Sequence, residues 1–391
     1  MYSALILAAG EGKRMNSDLP KVLHRVEFKS LINWVLGAVS SADKKIVVVG
    51  HGADKVREAL GESVKYALQE KQLGTGHAVM QARELVSGSE CVLVISGDTP
   101  LITKDTLDMA YSYHKSSGNS ITVLTAHVPN PYGYGRLVRN NSGRVEKIVE
   151  HKDATSDELS ITEINSGIYF FNTSDLLSAL DKITSDNSQG EYYLTDTVEI
   201  MIEENKKVGA FLLGDHNEIL GINDRAQLAA ASEIMRERIV KGHMQGGVTF
   251  LAPQTAYISG DAKIGRDTII MPNSIIEGKT VIGEGCIIGP NTRITDCTVG
   301  NGAEINNSVA TTSVIGKNSH VGPFAYIRPN SSIGSDVKIG DFVEIKNSVI
   351  GNKTKVSHLT YVGDADVGER VNFGCGRSEE HTSELQSPNT I

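Results

Sequence analysis

The chain has 391 residues, 40% of them apolar and 22% charged, so two domains with their own cores are expected and a disordered chain is excluded. A net charge of −9 argues against a nucleic-acid partner, whose binding rests on phosphate neutralisation, yet leaves room for a small phosphate ligand held by a few local donors. The longest apolar runs, 4–9 and 91–95, are too short to insert across a bilayer.

The start, MYSALILAAG, has no basic leader region and reads as a buried strand. Cys91, Cys286, Cys297 and Cys375 form no CxxC pair and read as reduced thiols of a cytoplasmic protein. Apolar runs at 3–8, 45–49, 64–67, 91–95, 120–126, 167–171 and 209–213 predict strands. Amphipathic stretches at 31–40, 55–60, 76–86 and 104–116 predict helices between them. Such interleaving predicts an α/β domain over 1–222 with a mostly parallel sheet, its ligands beyond the carboxyl ends of the strands.

Two segments sit at such ends. The first run leads into Leu7-Ala8-Ala9-Gly10-Glu11-Gly12-Lys13-Arg14-Met15, with Pro20-Lys21 soon after. Gly10 and Gly12 let the backbone close around an anion, and Lys13 and Arg14 add charge. The spacing is neither that of a P-loop nor that of a dinucleotide fingerprint, and taken alone it reads equally as a glycine-rich strand-to-helix turn. Asp98 follows the run 91–95. A carboxylate there suits Mg²⁺, which keeps several waters and bridges phosphate oxygens; Gly97-Asp98 taken alone is a simple turn.

A helix is expected over 223–244 as a linker, with Asp224 able to cap it and Glu233, Arg236, Glu237 and Arg238 on a wet face. From Ala256 the pattern changes. Apolar residues fall every six positions at Ile258, Ile264, Ile270, Ile276, Ile282, Ile288 and Ile294. After an interruption the interval resumes at Val309, Ile315, Val321, Ile327, Ile333, Ile339 and Ile345, and continues less regularly to Phe373. Neither a helical period nor alternation produces this; a hexapeptide-repeat β-helix over 245–376 does. The glycines that often follow the apolar residue account for much of the total of 39. The segment 377–391 drops the interval at once and is expected to be a disordered, foreign tail.

The glycine-rich segment resembles the L-A-x-G-x-G-x-R-M…P-K signature of sugar-nucleotide pyrophosphorylases. The likeness extends through Leu68-Gln69, Gln72-Leu73-Gly74-Thr75-Gly76-His77, Gly97-Asp98, Tyr134-Gly135-Arg136, Ile148-Val149-Glu150, Asn165-Ser166-Gly167 and Gly221-Ile222-Asn223. With the repeats, the chain resembles the bacterial bifunctional N-acetylglucosamine-1-phosphate uridylyltransferases/glucosamine-1-phosphate N-acetyltransferases. Lys13 stands where that family usually has threonine.

The resemblance implies a Rossmann-like nucleotidyltransferase domain, a linker helix and a left-handed parallel β-helix; the general chirality rule alone gives the opposite hand. It implies uridylyl transfer from UTP to N-acetylglucosamine 1-phosphate, and acetylation of glucosamine 1-phosphate by acetyl-CoA, for cell-wall and lipopolysaccharide precursors. Arg14 and Lys21 become catalytic cations, and Asp98 and Asn223 ligands of Mg²⁺. Leu7, Ala8, Ala9, Gly10, Lys21 and Asn223 become substrate contacts. Gln69, Gly74 and Thr75 read uracil, and Gly135, Glu150 and Asn165 hold the sugar; Glu150 on its own reads equally as a surface acid. In Ser357-His358-Leu359-Thr360-Tyr361, His358 becomes the general base, a role suited to histidine at neutral pH. Arg328 and Lys346 bind sugar phosphate, Tyr361 and Asn372 bind the sugar, and Cys375 contacts acetyl-CoA. A homotrimer is implied for full-length members. After Gly376 the family pattern stops, so a truncation with impaired acetyl transfer is expected. Rival readings are a transferase for another sugar phosphate or a cytidylyl donor, and a non-catalytic hexapeptide scaffold.

Overall fold

The computed structural model describes residues 2–374 and the backbone of 378–379. It divides into two compact units, one of residues up to Val26 with Ser30–Ala231, the other of Glu27–Lys29 with the chain from Ser232.

The first unit is built on a mixed sheet. Its strands are β1 (Ser3–Ala8), β2 (Lys44–Val49), β3 (Lys65–Leu68), β4 (Cys91–Ser96), β5 (Ile121–His127), β6 (Arg136–Arg139), β7 (Val145–Val149), β8 (Glu163–Asn172) and β9 (Val208–Leu212). The main order is β9-β5-β8-β4-β1-β2-β3. All are parallel except β8, which runs antiparallel to both neighbours. Side chains alternate across β1, so Ala4 and Ile6 join one core and Leu5 the other. Both faces are covered, which explains why the runs read as continuous apolar segments. From β1 the chain moves to β2 on one side and returns to β4 on the other. That reversal opens a crevice at the carboxyl end of β1, where α/β sheets bind ligands.

The structure corrects the sequence reading in places. The helix expected over 76–86 is two, Thr75–Gln81 and Arg83–Val86, broken at Ala82. The hairpin β6–β7 was not expected; it joins the sheet through a single pairing, Arg136 with Ile164. The helix expected over 223–244 runs Arg225–Gln245, and Asp224 accepts from the Gln227 amide at 2.8 Å. The division between the units falls within it, at Ala231/Ser232.

The second unit is a parallel β-helix whose strands stack in three ladders. One ladder runs Ile258, Ile276, Ile294, Ala310, Ile327, Ile345, Val362. A second runs Phe250, Ile270, Ile288, Ile305, Val321, Ile339, Val356, Phe373. The third runs Ile264, Ile282, Val299, Ile315, Ile333, Ile350, Val367. The interruption expected after Ile294 is absent. Val299, Ile305 and Ala310 carry the repeat at shortened intervals, and Val309, expected inside, is 38% exposed. The expectation of a disordered 377–391 is corrected at one point: the backbone of Ser378–Glu379 pairs with Tyr361 and Val362. The rest of that segment and Cys375 lie outside the described residues.

Every coil turns through a left-handed corner. At one of them Asn273, Asn291 and Asn307 adopt positive φ, and their amides form a ladder at 3.0 and 3.1 Å. In the next three coils that corner holds Phe324, Phe342 and Leu359, with φ of 59°, 55° and 47°, an unfavourable conformation for bulky residues. All three are exposed, and Phe324 stacks on Phe342 at 5.4 Å.

The coils stack too closely for some side chains. A Cβ at Gly340 would lie 1.8 Å from the Ser357 carbonyl oxygen. Gly340→Ala is therefore expected to destabilise the β-helix by about 3 kcal/mol, read as a lowered midpoint in its urea unfolding; an unchanged midpoint would show that the coils can part there without cost.

Candidate functional site

The crevice at the end of β1 widens into a cavity of about 540 Å³, within the usual range for a small-molecule site. Leu7, Ala8, Ala9 and Gly10 form one wall as β1 runs into the glycine loop. That loop folds back on itself: Gly12 has φ 65°, and a Cβ there would stand 2.8 Å from Lys21 Cβ. Pro20 then starts a short 3-10 turn, Lys21–Leu23, that aims Lys21 into the cavity.

Lys21 Nζ donates to Asp98 Oδ2 and, at 3.1 Å, to Asn223 Oδ1. Asp98 is 8% exposed, and its backbone is fixed by Ile222 N donating to Asp98 O at 3.0 Å. The two residues expected to hold a cation therefore converge on one lysine, Lys21. A single carboxylate with an amide oxygen suits Mg²⁺, which takes few protein ligands and keeps water and phosphate oxygens for the rest. Among the described residues no larger His/Cys/Asp/Glu cluster exists.

Gln69, Gly74 and Thr75 line the opposite end. Gln69 is buried, and its Nε2 donates to Gly74 O at 3.1 Å and meets His77 Nδ1 at 3.0 Å. Gly74 has φ 103°, and a Cβ would strike the Tyr192 carbonyl at 2.6 Å, so only glycine fits. Thr75 Oγ1 accepts from Leu194 N at 3.1 Å. Gly135, Glu150 and Asn165 line the third side. Asn165 N donates to Gly135 O at 2.9 Å, and Asn165 Nδ2 to the Tyr169 hydroxyl at 2.6 Å.

Arg14 is the one first-site residue not brought in. It is exposed on the turn Lys13–Met15 and does not line the cavity. Lys13 is exposed too, paired with Glu11 at 3.0 Å. Sequence reasoning gave no role to Tyr134, although it lies inside a matched stretch. Burial first, and then the Asp98 charge, push its phenol up, while the Gly221 amide donating to it works against them. Gln72, inside a matched stretch but given no role, and Thr195 also line the cavity; Thr195, a lone hydroxyl, carries no pattern.

On the β-helix, strands Lys338–Lys346 and Lys355–Gly363 pair in parallel, with Asp341 opposite His358 and Glu344 opposite Tyr361. Arg328 pairs with Glu344 at 2.8 Å and Lys346 with Asp364 at 2.9 Å. Asp364 is held below the usual carboxylate range by Asn347 and Lys346. His358 and Asn372 are exposed.

Residues 3–218 match the family model described as nucleotidyl transferase, and 261–296 and 312–347 match bacterial transferase hexapeptide (six repeats). The chain is 56% identical to the bifunctional protein GlmU of Acetivibrio thermocellus over 376 residues, 95% of this chain and 82% of that protein. Against GlmU of Halalkalibacterium halodurans it is 50% identical over 95% of this chain and 83% of that protein. Against GlmU of Caldanaerobacter subterraneus it is 52% identical over 99% and 85%. The chain belongs to the bifunctional GlmU family. With the family comes the left-handed winding of the β-helix. No helix among the described residues is long and apolar enough to cross a membrane.

The electrostatics of the cavity are lopsided. Glu150 is not a surface acid: burial pushes its carboxyl up, Thr195 Oγ1 donating at 3.4 Å pulls it down, and Asp153, Asp196 and Glu191 add repulsion. Asp196, at the start of the helix Asp196–Glu203, is pushed up to about 6 by burial, then by Glu199 and Asp153. A carboxyl whose folded value is raised from 3.8 to about 6 binds its proton more tightly in the native state. Stability therefore falls as pH rises across that window and stays reduced above it. Asp196→Asn is expected to stabilise the protein by about 1–2 kcal/mol at pH 8, after discounting for partial exposure, with the gain vanishing near pH 4. Urea melts at both pH values check this; a gain equal at both would assign it to another cause.

Proposed function

We propose that this chain transfers the uridylyl group of UTP to N-acetylglucosamine 1-phosphate, releasing pyrophosphate, and that its β-helix carries the base and sugar-phosphate groups of glucosamine-1-phosphate N-acetylation. The relatives' bifunctional character and both family matches support the pair of activities. The observation that carries the first is the meeting of Lys21, Asp98 and Asn223 in the cavity at the carboxyl ends of β1 and β4.

In this reading Gln69, Gly74 and Thr75 hold the uracil, and Gly135, Glu150 and Asn165 the sugar, so the sugar phosphate faces the α-phosphorus of UTP. A phosphate oxygen of the sugar phosphate bonds to that phosphorus as its bond to the bridging α–β oxygen breaks. The electron pair leaves with pyrophosphate, and no protein nucleophile takes part. The chain's task is positioning and charge stabilisation. Asp98 and Asn223 would hold Mg²⁺, which supplies neutralisation of triphosphate charge. Lys21 stabilises the transferring group. Arg14, on the turn just beyond the loop, is assigned to the leaving pyrophosphate. UTP and acetyl-CoA as co-substrates place the protein in the cytoplasm, and its product feeds cell-wall and lipopolysaccharide precursors.

For acetylation, His358 takes the proton from the attacking amine as nitrogen bonds to the thioester carbonyl and the thiolate of coenzyme A leaves. Arg328 and Lys346 carry the sugar phosphate, and Tyr361 and Asn372 the sugar. We further assign a homotrimer as the assembly, supported by the exposed, strained apolar ladder of Phe324, Phe342 and Leu359; solvated apolar groups in an unfavourable backbone conformation call for a partner surface.

Pyrophosphate release from UTP, N-acetylglucosamine 1-phosphate and Mg²⁺ tests the first activity. Lys21→Ala is expected to lower turnover by at least roughly a hundredfold, and Asp98→Ala to abolish Mg²⁺-dependent pyrophosphate release. A near-normal rate in Lys21→Ala would remove it from the chemistry. His358→Ala is expected to leave pyrophosphate release unchanged while eliminating the acetylation of glucosamine 1-phosphate that the parent retains, followed by coenzyme A thiol release; measurable thiol release in the parent that is equal in the variant would refute its role as base.

A further inference from the structure

The bulkiest fully buried side chain in the protein is a cation, Arg136, 2% exposed. A buried guanidinium normally has a carboxylate beside it, because desolvating an unpaired charge is costly. Arg136 has none among the described residues; burial alone holds its basicity below the usual arginine range. Its Nε has no partner among the described residues. What the guanidinium does have is one contact on each of two loops. Nη1 donates to the Tyr134 carbonyl, and Nη2 meets His151 Nδ1 at 3.5 Å, the outer limit of a hydrogen bond.

These loops build one side of the cavity. Arg136 is the first residue of β6, directly after Tyr134 and Gly135. His151 directly follows Glu150, just beyond the end of β7. Tyr134, Gly135 and Glu150 line the cavity, while Arg136 and His151 do not. A second link closes the same gap, with the Tyr132 ring set edge-on to His151 at 4.7 Å. The hairpin is tied to the sheet by one residue pairing, and its own ladder ends with Arg136 opposite Val149, so beyond that pair the loops meet through the contacts to His151.

We propose that Arg136 is a positioning residue for the sugar phosphate: it clamps the loop 131–135 to the loop 150–153 and so sets the spacing of Gly135 and Glu150. The assignment of that side of the cavity to the sugar rests on the function proposed above; the clamp does not. A cation kept in an apolar setting for its two loop contacts gives up stability for geometry. Replacing it with an apolar side chain of similar length therefore spares the fold while loosening the site.

Arg136→Met is expected to melt at or above the parent temperature, since apolar replacement of a buried charge is commonly neutral or stabilising. Its KM for N-acetylglucosamine 1-phosphate is expected to rise about tenfold, with KM for UTP unchanged within about twofold, as a misplaced substrate contact predicts. Arg136→Lys, which keeps the charge but not the fork, is expected to fall between. His151→Phe leaves Arg136 in place and removes the acceptor on the second loop; it is expected to show the same KM split and serves if the methionine variant does not fold. Amide hydrogen exchange, needing no substrate, is expected to quicken in 131–135 and 150–153 together. Unchanged exchange in both loops, or a lowered melting temperature with both KM values altered alike, would overturn the clamp. Absence of turnover with this sugar phosphate in the parent itself would overturn the proposed function, and exchange would still decide the clamp.

Discussion

One ammonium group organises the first unit. Lys21 Nζ reaches Asp98, 77 residues along the chain, and Asn223, 202 residues along. It thereby binds the loop after β1, the turn after β4 and the segment entering the helix Arg225–Gln245. Each partner is largely withdrawn from solvent, so removing any one leaves a buried polar group without compensation, which costs more than the interaction contributes. This constraint explains why the chain reverses direction across β1. Only strands on either side of that reversal bring their carboxyl ends to one crevice. The glycine loop then has to fold tightly enough to set Lys21 beneath it, and Gly12, pressed against Lys21 Cβ, is the residue that permits this.

The second unit obeys a different constraint, that each coil be covered by the next. Between Phe250 and Phe373 at its two ends, the ladders take a small or β-branched apolar residue at each inward position. Sequence therefore shows it plainly over most of its length: the interval of six is the coil geometry itself. The reading failed where coils shorten. Ile294 is followed inward by Val299, Ile305 and Ala310, and an alanine there is too small to mark the ladder, so the larger Val309 beside it drew the assignment although it faces outward.

The same logic separates what was legible in the first unit from what was not. Strands β1, β2, β4 and β5 are buried on both faces and announce themselves as apolar runs. Strands β6 and β7 carry Arg136, Arg139, Glu146 and Lys147, so their composition hides a hairpin that tertiary pairing enforces. The cluster of Lys21, Asp98 and Asn223 was legible because its members follow strands or lie in glycine-marked turns. Arg14 shows the limit: a motif fixes its position in the chain but not where its side chain rests, and it rests in solvent. Tyr134 shows the converse, a residue drawn to Asp98 and Gly221 by packing alone. Arg136 was visible only as part of a matched stretch, since nothing local in a sequence tells a solvated arginine from one that is 2% exposed.

The cavity has two unlike sets of charged groups, and the difference follows from how each is compensated. Asp98 is paired with Lys21. Glu150 faces Asp153, Asp196 and Glu191, and among the described residues the hydrogen bond that favours its charge is the long one from Thr195. A carboxyl so placed lacks donors. A ligand rich in hydroxyl groups supplies them, and each hydroxyl that donates to Glu150 relieves a penalty already present in the free protein, which makes that contact stronger than one to a solvated acid. A phosphate would worsen the same penalty. On the function proposed above, a sugar phosphate would lie with its hydroxyls toward Glu150 and its anion toward Lys21 before any contact of matched shape is considered.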